Sequence, residues 1–168
     1  MINNIEIAIF DKTQHKTKNF NCGNEALNLF LQQFAAKQQK KWVGRTFVAI
    51  NNDHHILGFY TLSAGSVQHQ DAPEHLRKGL PKYPIPTATL GRLAVHEQYQ
   101  GKGLGHLLLK DALIRILFAA QELGIVAIIV DAKDKKSAEF YKNYGLIEFP
   151  DKPLKLFMQL ETIAMAYK

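Results

Sequence analysis

The stretch Gln100-Gly101-Lys102-Gly103-Leu104-Gly105 lies between an apolar run, Leu90 to Val95, and a helical pattern that begins at Leu104. Glycine reaches positive φ and lets a ligand approach the backbone closely. The first N–H groups of a helix have no intrahelical acceptor, so a helix start attracts anions such as phosphate. The stretch predicts a phosphate cradle between a strand and a helix, although a tight strand-to-helix connection would use the same glycines.

The composition is that of one globular domain, which we place at residues 1–168. The chain has 168 residues, of which 46% are hydrophobic and 21% charged, enough to bury a core without disulfides or a structural metal. The single cysteine, Cys22, excludes an internal disulfide and fits a reducing compartment; we expect it to be buried near a helix start. Met1 to Glu6 lacks the features of a signal peptide, and no apolar run approaches the ~20 residues of a membrane span. We expect a cytoplasmic protein.

The positive charge is unevenly distributed. The formal net charge is +6 with neutral histidines, which permits a polyanionic partner without requiring one. Two groups of cations lie close together in the sequence: Lys37, Lys40, Lys41 and Arg45, and then Arg77, Lys78 and Lys82. Each group is either a solvated face or a set of phosphate contacts, and charge alone leaves both interpretations open.

Apolar spacing and turn residues predict an order of elements. They are a strand over Ile5 to Phe10, a helix from about Asn24 to Lys40 or Lys41, a hairpin of strands Trp42 to Ile50 and Ile56 to Val67, a proline-rich connection from Gln68 to Pro86 with a short helix over Glu74 to Leu80, a strand over Thr87 to Val95, a helix from Leu104 to Ala120 stopped by Gly124, a buried strand over Val126 to Val130, a helix over Lys135 to Tyr144 with Gly145 at C′, and a strand alternating from Leu154 to Leu160. This order predicts a mixed sheet with helices on its faces, an α/β or α+β domain.

Metal binding is not expected. The histidines around the hairpin turn and in the proline-rich connection show neither an HxxxH pattern nor a cysteine and histidine ligand spacing. These residues are His54, His55, His69 and His75.

Three phosphate sites compete for the glycine stretch. A Walker A loop is excluded because no Lys-Ser/Thr pair follows the glycines. A dinucleotide fingerprint is incomplete because its sixth position is His106, and the antiparallel hairpin that precedes the stretch argues against that fold. The third possibility is the pyrophosphate of coenzyme A.

The stretch resembles motif A of the GNAT acyltransferases, Arg/Gln-x-x-Gly-x-Gly/Ala, with Gln100, Gly103 and Gly105 at the signature positions. The resemblance extends to the strands around Leu93 to Val95 and Val126 to Ala132, and to the segment Ser137 to Leu146. It implies the GNAT fold, a mixed and mostly antiparallel central sheet with a splayed strand pair flanked by helices, and acetyl-CoA as the acetyl donor.

A narrower resemblance links Gly58 to Ser63, Leu90 to Val95, Asp111 to Leu113 and Val130 to Ala132 to the GNAT toxins of bacterial type II toxin-antitoxin pairs. It implies acetyl transfer to the α-amino group of aminoacyl-tRNA, which blocks translation. It also implies a ribbon-helix-helix antitoxin and a homodimer. The alternatives are a GNAT enzyme that acetylates a small-molecule or protein amine, and a catalytically silent acyl-CoA-binding module.

The resemblance assigns the donor site and the general acid. The donor site would use the backbone of the strand end and glycine turn, the charge of Lys102, and the start of a later helix: Leu93, Ala94, Val95, Gln100, Gly101, Lys102, Gly103, Leu104, Gly105 and Ser137. Tyr141 and Tyr144 are three residues apart, and periodicity does not choose between them. The Phe-Tyr position of the family selects Tyr141, whose phenol is protonated at neutral pH and can donate to a thiolate.

The sequence identifies no general base. Three acids lie near the relevant segments, Glu97, Asp131 and Glu139, but each is typical of a surface or capping group. The α-amine of an aminoacyl ester has a modest pKa and is partly neutral near pH 7, so water would be sufficient as its base. For tRNA, we expect phosphate contacts from the two cationic groups and a position near the acceptor end for Arg92. The complete set is Lys37, Lys40, Lys41, Arg45, Arg77, Lys78, Lys82 and Arg92.

Overall fold

The computed structural model describes residues 4–167 and divides the chain into two compact units. The first unit contains the described residues up to Ser63 together with Gly91–Ala112, and the second contains Ala64–Leu90 and the described residues from Leu113 onward. The prediction of a single domain over residues 1–168 stays a prediction. Residues 1–3, on which part of the signal-peptide argument depends, lie outside the described residues.

The expected mixed sheet is confirmed, with seven strands in the order β1-β2-β3-β4-β5-β7-β6. The strands are β1 (Glu6–Ile9), β2 (Arg45–Ile50), β3 (Ile56–Val67), β4 (Ile85–Val95), β5 (Ala127–Asp131), β6 (Ile147–Phe149) and β7 (Lys152–Gln159). The helices are α1 (Glu25–Leu29), α2 (Ala35–Lys40), α3 (Glu74–Arg77), α4 (Leu104–Ala119), α5 (Lys135–Asn143) and α6 (Leu160–Ala166).

The predicted hairpin of β2 and β3 is confirmed, and β1 pairs antiparallel with β2, which was not predicted. Arg45 pairs with Leu62, and Ala49 pairs with Gly58. The hairpin turn is held by the Asn51 side chain, which accepts hydrogen bonds from the backbone N–H groups of Asp53 and His55 at 3.0 Å each. The strand β2 begins at Arg45, so its predicted start at Trp42 was wrong.

The first helical segment has the predicted extent but not a uniform geometry. The Asn24 side chain caps α1 by accepting from the N–H of Leu27 at 3.1 Å. A π-helix over Phe30–Phe34 separates α1 from α2. The helical segment then buries an aromatic and aliphatic cluster in this unit: Phe10, Phe20, Cys22, Phe30, Leu31, Ala35, Val48, Ile50, Ile56, Phe59 and Ala94. Cys22 is therefore buried next to a helix start, as predicted.

The second unit is organised around β5. Four consecutive residues of this strand, Ala127 to Val130, are buried, as expected for a central strand. It pairs in parallel with β4 over Thr87–Leu90 and antiparallel with β7. The unit has its own apolar cluster: Val67, Ala72, Leu76, Ile85, Ala127, Ile129, Phe149 and Phe157.

In the second half of the chain, one predicted end of an element was wrong and one strand was missed. The helix α4 covers Leu104–Ala119, one residue short of the predicted end at Ala120, so its predicted extent is confirmed; Gly124 comes after the turn that follows the helix. Leu160 begins α6 instead of continuing β7. The strand β6 was not predicted, since two of its three residues are exposed and it lacks an alternating pattern.

Among the described residues, none of the helices is long and apolar enough to span a membrane.

Candidate active site

The glycine turn follows the end of β4 and a single 3-10 turn over Glu97–Tyr99. Gly101 has a φ of 75° and Gly103 a φ of 86°. A Cβ at either position would meet no heavy atom within 4 Å. Backbone conformation, and not crowding, therefore requires glycine here. The space above the turn is open to a ligand.

The turn delivers unpaired backbone donors at the start of α4. The N–H of Leu107 donates to the carbonyl of Gly103 at 3.1 Å and closes the first helical turn. The N–H groups of Leu104 and Gly105 have no acceptor within residues 4–167. Leu104 is buried and anchors the start of this 16-residue helix. Two donors and the positive end of the helix dipole thus fit a phosphate group.

The Gln100 side chain links the turn to two neighbouring backbone carbonyl groups. Its Nε2 donates to the carbonyl oxygens of Cys22 at 3.0 Å and Val95 at 2.9 Å. Both amide hydrogens are used, so this side chain is suited to positioning the turn and not to donating to a phosphate. Its assignment to the donor site stays a prediction. Lys102 is exposed, with its Nζ 5.6 Å from the Tyr99 ring centroid.

The end of β4 offers a backbone edge near the turn. Ala94 is buried, whereas Leu93 and Val95 are half-buried. These three residues lie beyond Thr87–Leu90, the part of β4 that is paired with β5. A Cβ on Gly58 would lie 2.9 Å from the Ala94 carbonyl oxygen, so only glycine allows β3 to approach at that point.

Burial separates the two candidate tyrosines of α5. Tyr141 is 6% exposed, and this burial raises the pKa of its phenol above the usual value. Tyr144 is half-buried at the C-cap, with its ring 5.1 Å from that of Phe140. Tyr141 therefore carries a phenol that is kept neutral.

Both ends of α5 are fixed by local hydrogen bonds. Asp134 caps the N-terminus by accepting from the Ser137 N–H at 2.8 Å. At the C-terminus, Leu146 N–H donates to Tyr141 O at 3.2 Å, and Gly145 N–H donates to Lys142 O at 2.9 Å. These two bonds form a Schellman motif with Gly145 at C′ and a φ of 94°. The predicted role of Gly145 is confirmed, and Ser137 serves as a cap partner.

The first cationic group lies at the end of α2. Lys37, Lys40 and Lys41 are exposed, and Arg45 is half-buried at the start of β2. None of the three lysines forms an ion pair with a carboxylate of the described chain. The guanidinium of Arg45 lies 4.8 Å from the ring centroid of Trp42. Sequence reasoning missed Trp42, although its position between Lys41 and Arg45 was a usable signal.

The second cationic group lies in the other unit. Arg77 ends α3 and donates to the Gln70 carbonyl at 3.4 Å, while Lys78 and Lys82 are exposed. The two cationic groups therefore belong to different units.

Arg92 borders a cavity of about 240 Å³ in the first unit. Its guanidinium lies 3.6 Å from the Phe30 ring centroid, and burial lowers the pKa of Arg92. Thr61 and Ser63 also line the cavity. The cavity therefore offers a cation and two hydroxyl groups next to the Phe30 ring, which suits a small polar group of a ligand.

A partly buried hydrogen bond that the sequence did not reveal joins β3 to α4. The Tyr60 hydroxyl donates to the Asp111 carboxylate at 2.6 Å. This bond spans 51 positions and fixes the helix that begins at the glycine turn. Within the described residues, no group of three histidine, cysteine or acidic side chains could hold a metal.

Residues 42–146 match the acetyltransferase (GNAT) domain family. A tRNA-acetylating toxin of Mycobacterium tuberculosis is 37% identical over 142 residues, which is 84% of each chain. A probable toxin TacT of Sinorhizobium fredii is 29% identical over 166 residues, covering 94% of this chain and 92% of that one.

Solved structures agree with these matches. AtaT complexed with acetyl-methionyl-tRNAfMet has a TM-score of 0.90 and 30% identity, covering 98% of this chain and 100% of that chain. AtaTR bound with acetyl-CoA has a TM-score of 0.88 and 30% identity, covering 99% and 100%. A mutant AtaT toxin bound to the C-terminus of the antitoxin AtaR has a TM-score of 0.86 and 28% identity, covering 99% of each chain. This chain belongs to the GNAT acetyltransferase family.

Proposed function

We propose that this protein is a toxin N-acetyltransferase that transfers acetyl from acetyl-CoA to the α-amino group of aminoacyl-tRNA and so blocks translation. The observation that carries the proposal is the likeness, over nearly the whole of both chains, to AtaT in complex with acetyl-methionyl-tRNAfMet. The likeness to a tRNA-acetylating toxin supports the same substrate.

The donor site binds acetyl-CoA mainly through backbone groups. The free N–H groups of Leu104 and Gly105 bind the coenzyme A pyrophosphate, and Gly101 and Gly103 supply the conformation that exposes them. Lys102 adds positive charge at the solvent side. Leu93, Ala94 and Val95 present a backbone edge to the pantetheine arm, and acetyl-CoA supplies an acetyl group already activated as a thioester.

Tyr141 acts as the general acid. The substrate amine forms a bond to the acetyl carbon as the carbon–sulfur bond breaks, and the Tyr141 hydroxyl donates a proton to the departing sulfur. Burial keeps the phenol protonated and therefore able to donate. The amine loses its extra proton to water. Ser137 holds the start of α5 through its bond to Asp134.

The absence of a strong base candidate is consistent with this acceptor. Glu97, Asp131 and Glu139 are all exposed, and Glu139 pairs with Lys142 at 3.4 Å. The amine of an aminoacyl ester has a modest pKa and is partly neutral near pH 7, so water suffices as the base.

The acceptor RNA is bound through phosphate contacts. We assign these contacts to the cationic groups of the two units and assign Arg92, with its adjoining cavity, to the aminoacyl end. Such contacts make affinity fall steeply with salt.

The chain acts as one domain in the cytoplasm, where charged tRNA is found, and pairs with a ribbon-helix-helix antitoxin as a homodimer. The AtaR-bound form of AtaT supports an antitoxin partner; the antitoxin class and the dimer rest on the family resemblance. Light scattering of the purified chain, with and without a co-expressed antitoxin, tests both assemblies.

Labelled acetyl-CoA tests the proposed substrate directly. The protein is incubated with charged tRNA, uncharged tRNA, polyamines and peptides bearing free N-termini or lysines. We expect label only on charged tRNA. Label on polyamines or peptides, with none on charged tRNA, would replace the proposal with a small-molecule or protein acetyltransferase.

A further inference from the structure

Trp42 occupies a backbone position that normally requires glycine. It follows the C-cap of α2, where Val43 N–H donates to Gln38 O at 3.0 Å and Trp42 N–H donates to Gln39 O at 3.2 Å. This is a Schellman motif with Trp42 at C′ and a φ of 64°. A bulky residue in the left-handed region is an uncommon and strained choice.

The strain does not serve core packing. Trp42 is 81% exposed, and the Arg45 guanidinium lies 4.8 Å from its ring centroid. A cation over one face leaves most of the indole surface open to solvent. Large aromatic side chains displayed beside cations provide stacking surfaces for nucleic acid bases.

A cationic cavity of about 490 Å³ adjoins the ring. Lys12, Lys40 and Arg45 line it together with Trp42, and Asp11 is the acid in the same lining. The Asp11 carboxylate accepts from the Thr13 N–H at 2.9 Å and the Thr13 hydroxyl at 2.7 Å. With three cations and one hydrogen-bonded carboxylate in its lining, the cavity has a net positive charge. This charge suits the phosphate backbone of a nucleic acid.

We propose that Trp42 is a stacking platform for an unpaired base of the RNA acceptor, with Lys12, Lys40 and Arg45 contacting the flanking phosphates. This inference rests on the proposed function for the source of the RNA. An acidic peptide would match the charge, but it would not need an exposed indole in a strained conformation. A nucleotide has both features, a flat base for stacking and a backbone phosphate.

Trp42 is the chain's single tryptophan, so intrinsic fluorescence reports on this site alone. We would titrate the full chain with a fluorescently labelled single-stranded RNA of about 8 nucleotides, following RNA anisotropy and tryptophan emission in parallel. We expect saturable quenching at the RNA concentrations that raise anisotropy. Inorganic polyphosphate of matched charge should bind with no comparable quenching. RNA binding without a change in emission would overturn the stacking assignment.

Variants separate stacking from folding. Trp42→Ala should lower RNA affinity between roughly 5-fold and 150-fold, the range expected for one stacked base, and Trp42→Phe should retain most of the affinity. Phe118→Ala is the matched control, because Phe118 is also an exposed aromatic, at 64%, but lies far along α4. Equal affinity for wild type and Trp42→Ala would overturn the inference, as would a change in oligomeric mass on Trp42→Ala, which would assign the ring to a contact between copies.

The two proposals fail in different ways. Quenching by RNA without acetylation of charged tRNA would contradict the proposed function and leave the RNA platform standing. Acetylation at equal rates by wild type and Trp42→Ala, at limiting tRNA concentration, would contradict the platform and leave the proposed function standing.

Discussion

Two helices of this protein end in the same hydrogen-bonded motif with opposite residue choices. At the end of α5, Gly145 occupies the left-handed C′ position with a φ of 94°, and at the end of α2 Trp42 occupies it with a φ of 64°. Glycine takes this conformation without a Cβ clash. For other L-residues the left-handed conformation costs roughly 1–2 kcal/mol.

The charges at the two ends differ as well. Lys142, near the end of α5, lies 3.4 Å from both Glu139 and Glu148. In the described chain, the lysines at the end of α2 have no such carboxylate partners. The end of α5 therefore combines a glycine with paired charges, whereas the end of α2 combines a tryptophan at positive φ with lysines that have no carboxylate partner in the described chain. Retained strain of this kind points to function.

We expect the largest effect, a loss of turnover, from a substitution in α5. Tyr141→Phe removes the acid and should lower kcat by roughly 100-fold or more, within the range for general acid catalysis, with unchanged acetyl-CoA affinity. Steady-state kinetics and calorimetric acetyl-CoA titration check this. Tyr144→Phe is the matched control and should keep its turnover. Unchanged turnover in Tyr141→Phe would remove Tyr141 from the mechanism.

Charge reversal at the α2 side should act on RNA binding alone. Lys40→Glu combined with Lys41→Glu removes two phosphate contacts, so the salt slope of RNA affinity should fall by roughly 2. Filter binding over a salt series measures this slope. The control, Lys110→Glu with Lys152→Glu, changes net charge equally at two exposed lysines that we assign no RNA contact. Equal slopes in the two double variants would place the RNA elsewhere.

Stability should respond oppositely at the two helix ends. Gly145→Ala should lower the free energy of unfolding by about 1–2 kcal/mol, because it forces alanine into the left-handed region. Trp42→Gly relieves the same strain and loses about 0.5–1 kcal/mol of cation–π contact, so it should leave stability unchanged or raise it by up to about 1 kcal/mol. Denaturant titrations decide this. A clear loss of stability in Trp42→Gly would make Trp42 a structural residue.

The last prediction is that Tyr141 does not ionise below about pH 10. Burial raises the pKa of Tyr141 above the ordinary value near 10. The stability that depends on this neutral phenol is therefore fully present below about pH 10 and is lost as pH rises toward the folded pKa. Ultraviolet titration of tyrosinate in wild type and Tyr141→Phe should coincide up to about pH 10. An additional group titrating below that pH in wild type alone would contradict the assignment.

Local patterns predicted much of the fold. The hairpin around Asn51, the buried strand β5 and the glycine stop of α5 follow from turn residues and periodicity. The strand β6 could not be predicted because it is short and two of its three residues are exposed. Leu160 was assigned to β7 because it continues the alternation of that strand, although it begins α6.

The site was predictable only in part. Glycine spacing predicted the cradle, but the bonds that position it join Gln100 to Cys22 and Tyr60 to Asp111, far apart in the sequence. Burial distinguished Tyr141 from Tyr144, which spacing alone did not. Trp42 was assigned to a strand because an aromatic next to Val43 has strand propensity, and nothing in that pattern reports a positive φ.

Identifying the amine that receives the acetyl group tests the proposed function most directly. Wild type and Tyr141→Phe would be induced separately in bacterial cells, total tRNA isolated, and the 3′-terminal aminoacyl-adenosines released by nuclease and weighed by mass spectrometry. We predict an acetyl group on the α-amine of an aminoacyl-adenosine from cells with wild type and little or none from cells with Tyr141→Phe. Growth arrest by wild type without any acetylated aminoacyl-adenosine would contradict the account.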